Sequence, residues 1–184
     1  QAVHSSPYSG AWYPGDREEL ERVTSRLFAE SMERTGNDLL PSAAGFVVPH
    51  AGLSYSGRVA AAVFRHMREM APKLVVIIGF SHRGAPPGAW IPEVDAYETP
   101  LGQSHVNNEA RTRLLESKEF DSLREELLCD HSVEIQLPLL QAACPEATIL
   151  PVYVSSLSAA ARKAAAEALA RLHGPDMVML ASSD

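Results

Sequence analysis

Two histidines follow directly on two separate apolar runs. Gly45-Phe46-Val47-Val48 leads into Pro49-His50-Ala51-Gly52, and Lys73-Leu74-Val75-Val76-Ile77-Ile78 leads into Gly79-Phe80-Ser81-His82. A third run, Met177-Val178-Met179-Leu180-Ala181, ends in Ser182-Ser183-Asp184. Neutral imidazole is the commonest metal ligand near neutral pH. Two imidazoles and one carboxylate delivered to a single edge are the donor set of a 2-His-1-carboxylate metal site. His50 and His82 are therefore the candidate metal ligands. Asp184 reads as a ligand, as an acid/base group, or as a solvated residue at the end of the chain. The bland reading of each histidine is a hydrogen-bonded side chain in a capped turn. Two of them at the same end of two strands argue for a shared site.

A third cluster is Asp130-His131-Ser132-Val133-Glu134. Helix capping explains Ser132 as an N-cap and Glu134 as a first-turn acid. His131 is left over, as an acid/base group or as a partner that orients a ligand. Gly52 and Gly57 allow a tight turn after His50, with Tyr55 and Ser56 supplying hydroxyls there. Other histidines carry less. His66 sits mid-helix between Arg65 and Met67 and reads as part of a solvated face. His173 falls at a helix end, where a cation is favoured in any case. His4 and His105 have no supporting pattern. No Walker A loop, G-x-G-x-x-G or G-x-S-x-G occurs, which weakens nucleotide-binding and α/β-hydrolase readings.

The elements that must position these groups alternate between strand and helix. Asp16 with Glu19 opens a helix that Gly36 closes. A loop to Pro41 leads into a strand at about 45–48. A helix over 58–70 and a strand over 73–78 follow. Gly84-Ala85-Pro86-Pro87-Gly88-Ala89-Trp90 reads as a loop at the mouth of the site. Short strands are expected at 89–94 and 103–106, and Asn107 or Asn108 caps a helix to about 117. A helix over 132–143 contains Pro138, which must kink it or shift its start. A strand at 147–154, an Ala-rich helix capped by Ser158, and a last strand at 177–181 complete the pattern. This predicts one α/β domain over residues 1–184, three-layered, with a mostly parallel or mixed sheet flanked by helices. Ligands bind beyond the carboxyl ends of such strands. The chain begins without Met and ends directly after a predicted strand, so the native protein is expected to continue and to supply a C-terminal part.

The 184 residues suffice for one domain with a sizeable core. Hydrophobic residues make up 46% and charged residues 21%, a globular balance. A formal net charge of -7 supplies no basic footprint for nucleic acid or anionic membranes. No apolar stretch approaches the roughly 18 residues of a membrane span. Two cysteines, Cys129 and Cys144, make no disulfide framework, so a reducing, cytoplasmic setting is expected.

Taken together, the motifs resemble the Memo family, the mediator-of-cell-motility proteins and their prokaryotic relatives. The pieces are Ser9-Gly10-Ala11-Trp12-Tyr13-Pro14, Pro49-His50-Ala51-Gly52-Leu53-Ser54-Tyr55-Ser56-Gly57, Gly79-Phe80-Ser81-His82, and Tyr97-Glu98-Thr99-Pro100-Leu101-Gly102. They continue with His131-Ser132-Val133-Glu134-Ile135-Gln136-Leu137-Pro138, Pro151-Val152 and Ser182-Ser183-Asp184. Their order is the family's, and they span nearly the whole chain. The resemblance implies a fold like that of the class III extradiol ring-cleaving dioxygenases. It implies an iron or copper ion held by His50, His82 and a cysteine late in the chain, beyond residue 184. It also places Asp184 in the pocket. Neither Cys129 nor Cys144 matches that cysteine. Two function classes follow. One is a metal-dependent redox protein, or a catechol dioxygenase acting on a small aromatic substrate, with His131 or Asp184 moving protons. The other is an adaptor that binds phosphotyrosine peptides in the same cleft, in keeping with the motility signalling of animal relatives. Tyr55, Arg83 and Trp12 are the candidate substrate-binding residues. A metal-buffering role needs only the ligands.

Overall fold

The computed structural model describes residues 1–36 and 43–184, so the expected loop to Pro41 lies outside the described residues. In chain order the elements are β1 (Val3–Ser5), α1 (Arg17–Thr35), β2 (Gly45–Pro49), α2 (Leu53–Met70), β3 (Leu74–Phe80), β4 (Ala89–Pro92), β5 (Ala96–Thr99) and β6 (Gly102–His105). They continue as α3 (Asn108–Leu115), β7 (Phe120–Leu123), α4 (Glu125–Leu128), α5 (His131–Glu134), α6 (Leu137–Ala143), β8 (Thr148–Val154), α7 (Ala159–Ala170) and β9 (Met177–Ser183). The main sheet has strand order β2-β9-β3-β8-β4-β7. Its first four strands are mutually parallel, and β4 reverses against β8. A small second sheet has the order β1-β5-β6.

Three layers follow from handedness. The β2-α2-β3 and β8-α7-β9 crossovers run in opposite directions along the sheet. Right-handed crossovers then put α2 and α7 on opposite faces. Helices α1 and α6 pack on α2. Strands β3 and β8, covered on both sides, carry the fully buried Val75, Val76, Ile77, Ile149, Leu150 and Val152.

Parallel pairing fixes the site. Val48 stands opposite Ser182 and Pro49 opposite Ser183, so β2 and β9 end together. Strand β3 lies on the other side of β9 and points the same way. His50, His82 and Ser182–Asp184 therefore emerge at one sheet edge.

Several expected boundaries move. The helix expected over 132–143 is two helices, α5 and α6, with Pro138 in the first turn of α6, where its missing N–H costs nothing. The N-cap of α5 is Asp130, not Ser132, and its side chain accepts from the Ser132 N–H. Helix α2 starts at Leu53 rather than at 58. Arg65 is buried rather than solvated, because it donates to Thr35 Oγ1 at 3.1 Å and to the Gly36 carbonyl at 2.8 Å. His66 stacks on Phe46. Strands β1 and β7 and helix α4 are too short to show a periodicity.

Gly79 lets α5 sit directly on β3. A Cβ there would lie 2.5 Å from Ser132 Oγ and 2.8 Å from Val133 Cγ2. Gly79→Ala should therefore cost about 2 kcal/mol through overpacking. Urea unfolding checks this, and an unchanged midpoint would mean that α5 can shift freely off β3.

Candidate metal centre

Each of the three histidines arrives by a different route. His50 is the residue after β2, and its backbone N–H donates to Ser183 O at 3.2 Å. His82 lies two residues past β3. His131 opens α5, which crosses the end of the sheet between them. One ring nitrogen from each lies within 4.8 Å of the others. The rings are mutually close, with His82 stacked on His131 at 4.4 Å and His50 edge-on to both. Among the described residues this is the group of three or more potential ligands compact enough to hold a metal ion.

Hydrogen bonds assign the tautomers of two rings. Ser182 Oγ donates to the Ser132 carbonyl and accepts from Gln136 Nε2 at 3.1 Å. Its proton is thus committed, and it can only accept from His50 Nδ1, 3.1 Å away. Nδ1 of His50 therefore carries a proton, and in the neutral ring Nε2 keeps a lone pair. That Nε2 is buried without a hydrogen-bond partner. Asp184 Oδ1 stands 2.8 Å from it, yet outside hydrogen-bond geometry.

His82 is held by a buried carboxylate. Asp130 Oδ2 accepts from the His82 backbone N–H and lies 2.8 Å from His82 Nδ1. A carboxylate only accepts, so Nδ1 carries a proton, and in the neutral ring Nε2 is the nitrogen left with a lone pair. The other Asp130 oxygen accepts from the Ser132 N–H at 2.9 Å. The Ser132 hydroxyl bridges to β3, accepting from Phe80 N–H at 3.1 Å and lying 2.9 Å from Phe80 O. Carboxylate–imidazole pairs of this kind orient metal-binding histidines and raise their basicity.

His131 is fixed by packing. Its ring lies 4.5 Å from Trp12 on one side and 4.4 Å from His82 on the other, with Tyr8 edge-on at 5.7 Å. Burial lowers its pKa below the ordinary histidine value. The Asp130 charge opposes this, and the neighbouring His82 and His50 reinforce it. The ring therefore stays neutral, with a lone pair to give.

The substrate-binding candidates divide. Trp12 is in the cluster through its stack on His131. Arg83 is exposed at the rim and reaches the Tyr8 phenol. Tyr55 is 88% exposed and lines, with Trp12, Gly52 and Ser54, an adjoining cavity of about 240 Å³. The cysteines stand apart from the cluster. Cys129 contacts the Tyr97 hydroxyl at 3.0 Å, and burial pushes its thiol up to about 12. Cys144 is buried beyond α6 and pushed up to about 11. Both stay protonated and are poor ligands.

Sequence reasoning passed over Asp130, Ser182 and Gln136, which hold the rings, and Tyr8 and His4. One signal was available. Glu134 interrupts the apolar stretch Val133-Glu134-Ile135-Gln136-Leu137, and a buried acid requires a partner. That partner is His4.

The site defines an α/β protein with a three-imidazole cluster at the carboxyl ends of parallel strands. The family model described as Memo-like protein matches residues 5–184. A MEMO1 family protein of Thermoplasma volcanium is 33% identical over 184 residues, covering 99% of this chain and 66% of the relative. One from Thermotoga petrophila is 36% identical over 192 residues, covering 96% and 67%. The Protein memo-1 homolog of Caenorhabditis elegans is 32% identical over 158 residues, covering 84% and 44%. The chain belongs to the Memo-like family. It spans about two thirds of the length of the archaeal and bacterial relatives.

A depressed folded-state pKa makes His131 contribute stability at neutral pH that is lost as pH falls through its lowered value. NMR titration of the ring protons should place its midpoint below the ordinary histidine value. A midpoint at or above that value would contradict the packed, desolvated position.

Proposed function

We propose that this protein binds one iron or copper ion through His50 and His82, with His131 completing the donor set. The observation that carries the proposal is the pair of clamps, Ser182 on His50 and Asp130 on His82, which hold a proton on Nδ1 and make Nε2 the ligand atom of each neutral ring. The His50 Nε2 is buried and makes no hydrogen bond, with the Asp184 carboxylate as its close polar neighbour. Three neutral imidazoles suit iron and copper. When bound, such a metal would supply a redox-active Lewis acid.

The chain's own residues do the rest. Asp130 and Ser182 hold the proton of each ring at Nδ1. Trp12 and Tyr8 cover His131 on the side away from His82 and exclude water there. Asp184, exposed beside His50, is placed to accept a proton at its carboxylate oxygen. Arg83 at the rim favours an anionic group on whatever enters. With iron or copper as the ion, the donor set would serve a redox or oxygenase role on a small aromatic substrate. Arg83 beside the Tyr8 phenol favours a second reading, capture of a phosphotyrosine peptide at the same rim.

Anaerobic loading with Fe(II) or Cu(I) followed by metal analysis tests the proposal. Near-stoichiometric metal is expected in the parent chain, and both His50→Ala and His82→Ala should abolish it. His131→Ala should weaken affinity. Full metal content in the His50→Ala and His82→Ala variants would refute the assigned ligands. No metal in the parent chain, with phosphopeptide binding intact, would favour the second reading.

A further inference from the structure

His4 lies far from the cluster in sequence, but it is bound into the same structure. Its Nδ1 is 2.6 Å from Glu125 Oε2, and its Nε2 meets Glu134 Oε1. Two carboxylate oxygens on two ring nitrogens require two donors, so His4 is an imidazolium. Glu134 is fully buried, and its second oxygen accepts from Ser6 Oγ at 2.7 Å. Ser6 Oγ accepts in turn from the Tyr8 N–H at 3.2 Å. The Tyr8 carbonyl accepts from the Trp12 N–H at 2.9 Å, and the Trp12 carbonyl accepts from Leu53 N–H at 3.0 Å. One continuous chain of bonds thus runs from a buried charge bridge to the first turn of α2. Along it hang Tyr8 and Trp12, whose rings flank His131. Glu134 is also the last residue of the helix that His131 opens.

We infer that residues 3–12 form a strap that the Glu125–His4–Glu134 bridge fastens, making His4 a positioning residue that sets how Trp12 and His131 sit at the cluster. This deepens the metal-site reading and rests on it, since the strap aims one of the three imidazoles. It also makes the strap responsive to pH. The groups facing His4 are Glu125 from α4, Glu134 from α5 and Tyr97 from β5. Burial lowers the His4 pKa, but the hydrogen bonds and charges of Glu134 and Glu125 outweigh it and raise it above the ordinary value. Burial holds the Tyr97 phenol protonated well beyond that range. A raised histidine contributes fully below its unfolded value, and the contribution is lost as pH rises through the folded one. The strap is fastened in mildly acidic and neutral solution and loosens on the alkaline side.

The test uses metal-free protein, so a failure of metal binding leaves it intact. The chain has two tryptophans. Trp90→Phe isolates Trp12, and acrylamide quenching then reads its accessibility. His4→Gln should raise quenching roughly twofold, and His4→Ala should raise it further, as expected for local release of a packed segment. In the Trp90→Phe parent the same rise should occur on going from about pH 6 to about pH 9. Glu125→Gln should move its midpoint to lower pH, which a merely structural contact would not do. Unchanged Trp12 quenching in folded His4→Gln would overturn the inference. If His4→Gln does not fold, a flat pH profile in the Trp90→Phe parent would overturn it equally.

Discussion

Asp130 is the group on which the site depends. It is buried, and its two oxygens meet four polar groups of two residues, His82 and Ser132. One oxygen takes the backbone and the ring of His82, and the other takes the Ser132 N–H and lies 2.7 Å from the Ser132 hydroxyl. The same carboxylate therefore caps α5, ends β3 and sets the tautomer of a candidate ligand. A buried carboxylate without these donors would be costly, so the site and the fold share one set of bonds. Ser182 repeats the design on the other side. It joins β9 to the Ser132 carbonyl, to Gln136 and to His50.

The surroundings of His131 favour its neutral ring. Burial and two neighbouring rings work against a proton on His131. Burial works against a proton on His4 too, but the two carboxylates on either side of it outweigh this and hold it charged. The contrast separates a histidine that donates a lone pair from one that acts as a cation. Both are tied to α5, one at each end of a four-residue helix.

His50 and His82 were legible because a buried parallel strand leaves a local signature, and a residue just past it must emerge at the sheet edge. The strands over 74–80, 148–154 and 177–183 were legible for the same reason. The membership of His131 was less so. It depends on α5 being a separate short helix, and a periodicity spread over residues 132–143 blurs that break. Asp130, Ser182 and Gln136 were not legible as ring-holding groups, since each acts on a residue 46 or more positions away. His4 was invisible for the same reason, with its partners 121 and 130 positions along the chain. Capping rules accounted for Glu134 and so hid the question of what neutralises a fully buried acid.

Ser182 and Asp130 fix the ring protons of His50 and His82 on Nδ1 before any metal arrives. Long-range ¹H–¹⁵N correlation spectra of the metal-free, ¹⁵N-labelled protein read this directly. The pattern of the Nδ1–H tautomer is expected for both rings at neutral pH. Nε2–H tautomers, or two rapidly averaging imidazoles, would contradict it.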